Sequence, residues 1–248
     1  IRGKQLLRKL WNVEQFIHVN LCGDCKADHP EQLNVIDKWI LTKYSQLIEK
    51  ITKLLDVFDY SQAMKDVEYF VWHELADHYI EMAKSSLQIE ENIESTRFTM
   101  YTIGLGILKL FSPFIPHITE ELYHIMYKEF EQAESIHLSK WPEPIINDFQ
   151  SHDTGEIVKN FIADLRSFKS EHKIALNAPF PSSATYGPDS IINHLQNQKN
   201  IIKETLKLPK DHQFIVGKPN IKEVITAIEP VYAKLGPIFK KDSQKVAA

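Results

Sequence analysis

His18, Cys22, Cys25 and His29 are spaced H-x3-C-x2-C-x3-H. Two thiols and two imidazoles are a donor set that satisfies tetrahedral zinc. The spacing is compact, however, and both His–Cys gaps are unusual for a zinc finger, so a hydrophilic loop with two reduced thiols is the preferred reading and no metal is assigned. A second cluster joins Lys4, Arg8, Lys9, Trp11, Asn12 and His18. Cations of this kind neutralise phosphates, and an aromatic ring can stack on an unpaired base for roughly 1–3 kcal/mol. The competing view places Trp11 in a core beside Leu7 and Leu10 and leaves Arg8 and Lys9 on a solvated face. Asn12 resists that view, because asparagine is a poor helix former and sits in helices for a hydrogen bond. A third group, Arg166, Lys169 and Lys173, falls on one helical face at i, i+3 and i+7, followed by Lys199, Lys203, Lys207 and Lys210. It reads either as a stripe that tracks phosphates or as ordinary solubility.

Bond-making chemistry has no footing beside these groups. The patterns GxGxxG, GxxxxGK[ST], HExxH and GxSxG are all absent. The eleven histidines are scattered without a triad, and eight glycines leave no phosphate-cradling loop. No catalytic residue is therefore assigned. Charge is uneven: residues 1–34 carry +1, residues 35–148 carry −9 and residues 149–248 carry +4. A nucleic-acid binder shows a basic footprint, so an RNA contact here must be local or come from the flanks.

With 248 residues, 43% hydrophobic and 25% charged, the chain suits a soluble globular protein of one large domain, or one large and one small. Lys109 and the prolines cut the best apolar run short of the roughly 18 residues that would cross a bilayer. Arg2, Lys4, Arg8 and Lys9 leave no secretory apolar segment at the start. Two cysteines make no disulfide framework and suit a reducing cytoplasm. Ile1 is not a natural start, so the chain is expected to be cut from a longer one.

The elements that must carry these groups are mostly helices. Residues 4–20 show Leu6, Leu7, Leu10, Val13 and Ile17 at helical spacing, and a second stripe follows Asn34, a good cap. Ser61 is expected to cap a third helix reaching Ala83. The fourth runs from about Ser95 to Phe111 and stops against Pro113 and Pro116, and Thr119 opens a fifth that reaches about Phe130. Gly104 and Gly106 inside the fourth cost roughly 1 kcal/mol each relative to alanine, which points to the close approach of a neighbouring helix. A linker at 140–149 leads to a helix over 153–171, then to short strands at 182–186, 213–216 and 224–228 with one helix over 190–206 between the first two. The expected fold is mainly α: an antiparallel helical bundle over 1–148 with a small α+β unit, including a long linking helix, over 149–248.

Five segments occur in one order: RKLWN at 8–12, DKWILTKY at 37–44, FVWHELADHYIEMAK at 70–84, LFSPFIPHITEELY at 110–123 and SIHLSKWPEP at 135–144. Together they resemble the anticodon-binding region of class I aminoacyl-tRNA synthetases, most closely the valyl group. LRSFKSEHKIALNAPF at 165–180 is similar to the C-terminal extension of its archaeal-type members. The isoleucyl and leucyl groups share the bundle and the PFIPHITEEL corner, so an isoleucyl-type region is the alternative, and a helical protein-interaction scaffold is the rival of another class. One departure stands out: Val13-Glu14-Gln15-Phe16 follows Asn12, and Gln15 occupies a position where the family often has arginine.

The resemblance implies a non-catalytic piece of a valine-tRNA ligase, cytoplasmic and monomeric, whose partners are the tRNA for valine and an upstream catalytic portion of the same chain. The HIGH and KMSKS signatures that hold ATP are absent here. ATP and magnesium are thus expected in the parent enzyme and no cofactor in this chain. Lys4, Arg8, Lys9 and Asn12 would read the anticodon, with Arg166, Lys169 and Lys173 gripping the backbone.

Overall fold

Helical periodicity builds most of the molecule. The computed structural model describes residues 2–21, 30–180 and 183–219. Helix α1 is Arg2–Asn20, α2 is Val35–Asp56 and α3 is Tyr60–Tyr69, which runs on through a π-helical stretch, Phe70–Tyr79, into α4, Ile80–Ser86. After a 3-10 turn at Glu90–Asn92 come α5, Ile93–Phe111, α6, Pro116–Met126, and α7, Phe149–Glu171. Trp39, Tyr44, Tyr79, Phe111, Tyr123 and Tyr127 are the largest side chains buried completely, alongside Leu10, Ile17, Ile36, Ile40 and Leu41. The expected mainly α bundle is observed.

Caps account for the helix starts. Asn34 caps α2, its side chain accepting from the Asp37 amide at 2.9 Å. Asp59, not Ser61, caps α3 by accepting from the Gln62 amide; a carboxylate at the positive end of a helix outcompetes the hydroxyl two residues on. Helix α6 starts at Pro116 rather than at Thr119. Proline is pre-organised for the first helical position, where its missing N–H costs nothing. Thr119 is buried, and its hydroxyl donates to the Ile115 and Pro116 carbonyls.

Gly104 and Gly106 do mark a close approach, though of side chains rather than a helix backbone. A Cβ on Gly106 would lie 1.6 Å from the Tyr44 hydroxyl oxygen, and one on Gly104 would lie 2.3 Å from that of Tyr127.

Two polar clusters tie the helices together. Asp37 is buried and accepts from Tyr79 (2.6 Å), Ser95 (2.6 Å) and Thr96 (3.1 Å), so α2, the π-helical stretch and α5 meet at one carboxylate. Burial pushes its pKa up to about 6 against the pull of those hydrogen bonds. Lys43 Nζ lies 2.9 Å from Glu74 Oε2 and 2.7 Å from Glu156 Oε1, and Trp39 Nε1 also donates to Glu156, at 2.9 Å. Partial burial would raise the Glu156 carboxyl, but Lys159, Lys43 and Trp39 together pull it down to about 2.

Beyond α7, strand β1 (Ala184–Gly187) pairs in parallel with β2 (Gln213–Val216), Ala184 opposite Gln213 and Gly187 opposite Val216. Two short helices, α8 (Asp189–Asn197) and α9 (Lys199–Leu206), make the crossover that a parallel pair requires. The single helix expected over 190–206 is broken at Gln198, which leaves helical geometry (φ −106°, ψ 18°) between the buried pair Ile192 and Leu195 and the buried group Ile201, Ile202 and Leu206. The strand expected at 224–228 lies outside the described residues. Ile1–Val216 forms one compact unit in which α7 packs along α2.

Candidate nucleic-acid interface

Helix α1 buries Leu6, Leu10, Val13 and Ile17, and this fixes what its other face shows. Lys4, Arg8 and Asn12 are exposed one turn apart, and Gln15 follows on the same side. Trp11 is 38% exposed and Leu7 37%, so Trp11 is not the core residue that its apolar neighbours suggested. Its ring is left partly accessible, three residues on from Arg8. Lys9 is different. It is half-buried, with its Nζ 3.1 Å from Asp77 Oδ1 and 5.3 Å from the centre of the Trp72 ring.

The basic stripe expected on α7 does not form as one face. Arg166 Nη1 donates to Glu81 Oε2 at 3.0 Å. Lys169 is buried and donates to three carbonyls, those of Leu176 (3.0 Å), Ala178 (2.7 Å) and Leu206 (3.0 Å), while its Nζ also lies 4.3 Å from the centre of the Phe180 ring. Leu206 ends α9, so the ammonium sits at the negative end of a helix. The long apolar stem lets a lysine cross the interior while its charge stays satisfied. Lys173 lies past the end of α7 in a left-handed conformation (φ 55°) and is exposed.

The cations instead converge elsewhere. Lys84 of α4, Arg166 of α7 and Lys203, Lys207 and Lys210 in and after α9 line a groove of about 960 Å³, with Glu81 and Glu204 among them. Burial would raise Glu81, but Lys84 at 2.7 Å and Arg166 hold it below the usual carboxylate range. Sequence spacing pointed to the α9 lysines but gave no sign of Lys84, which belongs to a helix distant in the chain. It equally missed Tyr69, Trp72 and His73, whose clustering at i, i+3 and i+4 was the available signal.

His18 is half-buried near the end of α1, and Cys22, Cys25 and His29 lie outside the described residues. Among the described residues, no group of three His, Cys, Asp or Glu side chains is placed to hold a metal ion. None of their helices is long and apolar enough to cross a membrane.

The family described as the anticodon-binding domain of tRNA ligase matches residues 37–185. Valine–tRNA ligases of Thermococcus kodakarensis and Pyrococcus furiosus are each 32% identical over 248 residues, covering 98% of this chain and 28% of the relative. That of Methanothermobacter thermautotrophicus is 32% identical over 250 residues, covering 98% and 27%. The chain thus spans less than a third of the length of these relatives.

Proposed function

Because this chain belongs to the anticodon-binding domain family of tRNA ligases, we propose that it is the tRNA-gripping, C-terminal region of a valine–tRNA ligase. The observation that carries this reading is likeness to valine–tRNA ligases along 98% of the chain, at a constant level in several archaea. ATP and magnesium then serve the upstream catalytic portion, whose nucleotide-holding signatures this chain lacks. No bond-making step falls to the residues described here. A cytoplasmic monomer acting on valine tRNA is the accompanying expectation.

Anticodon bases are unpaired, so their edges can be read by hydrogen bonds and their faces by stacking. The exposed face of α1 offers both: Lys4 and Arg8 for phosphates, Asn12 for a base edge and Trp11 for a ring. Lys9, held by Asp77, closes the edge of that surface. Arg166 of α7 and Lys173 just past its end are the side chains proposed to face the tRNA backbone, whereas Lys169 has spent its ammonium on three carbonyls inside the fold. With −9 on residues 35–148, binding is weak and its salt slope modest.

Titration of the chain with valine tRNA and with the same tRNA carrying a changed anticodon tests this. Tighter binding of the valine anticodon is expected. Equal affinity for the two, or no binding even at low salt, favours a helical scaffold for a protein partner instead.

A further inference from the structure

A second groove, of about 520 Å³, opens between α1 and the helix that passes from α3 into the π-helical stretch. Gln5 of α1 forms one side, and Lys65, Tyr69, Trp72 and His73 form the other. Tyr69 is 59% exposed, yet its ring meets that of His73 with centroids 4.8 Å apart. The pair is held in place. His73 Nδ1 lies 3.4 Å from Asp77 Oδ2, and Asp77 also anchors Lys9, whose Nζ lies against the Trp72 ring. Hence three aromatic rings are fixed at a surface where their burial contributes little to the core. They sit at the start of a ten-residue π-helix, Phe70–Tyr79, a conformation that is rare and frequent at functional sites.

The chemistry of the groove selects its ligand. Asp66, which also lines it, is neutralised by Lys50 at 2.8 Å, and the other two charges of the lining, Lys65 and Glu68, are of opposite sign, so no net positive charge remains to hold a phosphate. What remains is a pair of ring faces and the Gln5 amide, which can both donate and accept. Lys4 precedes Gln5, Arg8 follows it three residues on, and both are exposed. Flat apolar faces, an amide for an edge and cations just outside the groove match a nucleotide whose base is unstacked from its neighbours.

We propose that this groove takes an unpaired nucleobase of the bound tRNA, stacked on the Tyr69–His73 pair with its edge toward Gln5. The proposal rests on the tRNA-binding reading above.

The test is fluorescence anisotropy of the 248-residue chain with a labelled anticodon stem–loop of valine tRNA, over a series of salt concentrations. Tyr69→Ala is expected to bind roughly 5- to 150-fold more weakly, the equivalent of about 1–3 kcal/mol at 1.4 kcal/mol per tenfold. The slope of log affinity against log salt should not change, because stacking releases no counterions. Tyr69→Phe, which keeps the ring, should bind as the unsubstituted chain does. When each unpaired loop base is replaced in turn by an abasic residue, one of the replacements should abolish the difference between Tyr69→Ala and the unsubstituted chain. Unchanged affinity of Tyr69→Ala with an unchanged thermal melt overturns the groove while leaving tRNA binding intact. So does a loss accompanied by a slope smaller by about 1, the mark of a phosphate contact. No binding by the unsubstituted chain sinks the tRNA reading and the groove with it.

Discussion

The Tyr127 hydroxyl donates to Glu14 Oε2 at 2.7 Å, joining α1 to the turn after α6 across a site from which water is excluded. Glu14 Oε1 has no hydrogen-bond partner among the described residues. Burial raises the carboxyl from 4.5 to about 7, and the Tyr127 bond only partly offsets that rise. The folded state therefore holds this proton more tightly than the unfolded chain does. Its contribution to stability is fully present below about pH 4.5 and is lost as pH rises through about 7. Glu14→Gln mimics the protonated acid. It should match the parent chain near pH 4 and gain on it by pH 8.5, on the order of 3 kcal/mol, in urea denaturation. A difference that stays constant across that range would refute the assignment.

Gly106 and Gly3 make opposite predictions for one substitution. Alanine at Gly106 drives a methyl into the buried Tyr44 ring, and overpacking of this kind costs roughly 1–3 kcal/mol or more. Alanine at Gly3, in the first turn of α1, meets nothing within 4 Å and should stabilise by up to about 1 kcal/mol through helix propensity alone. Thermal melts of the two variants should move in opposite directions.

Lys169 holds three carbonyls, so Lys169→Met removes a charge and orphans their acceptors together. A loss of roughly 3 kcal/mol is expected, since each buried acceptor left unpaired costs about 1–3 kcal/mol and entering water recovers part of it. The damage should be local. The Phe180 amide bonds to the Lys207 carbonyl and the Leu208 amide to that of Lys203, and both should exchange hydrogen faster in the variant while amides of α2 and α5 hold. Uniform acceleration across the bundle would show that Lys169 supports the whole fold.

The contrast between Asn34 and Lys169 shows what was legible in the sequence. Asn34 acts on its own helix, so a local rule finds it, and the stripes of α1, α2 and α5 are equally local. The need for small residues at Gly104 and Gly106 was visible as a cost without a local gain, although the partners Tyr127 and Tyr44 were not. Lys169 and Arg166 meet partners set by tertiary packing: Leu206 in α9 and Glu81 in α4. Helical spacing alone put both on one solvated stripe. The π-helical stretch carries no compositional mark, because its i→i+5 bonds use the same residues that an α-helix would. The ring cluster at Tyr69, Trp72 and His73 was thus marked only by its i, i+3, i+4 spacing, while its helix geometry and its exposure depend on packing.

That contrast decides how the two basic surfaces should differ. Lys207 and Lys210 line the groove beside α9 and are exposed. Point charges there can meet phosphates, which are the same on every tRNA. Lys207→Ala combined with Lys210→Ala should weaken valine tRNA and an anticodon variant by the same factor and reduce the salt slope by about 1–2. Asn12→Ala on α1 removes an amide that can address a base edge, so it should narrow the affinity ratio between the two tRNAs and leave the slope alone. Both are measured in one pair of salt-dependent titrations. If the lysine pair changes the ratio and Asn12→Ala leaves it unchanged, the assignment is overturned, with α9 rather than α1 reading the anticodon.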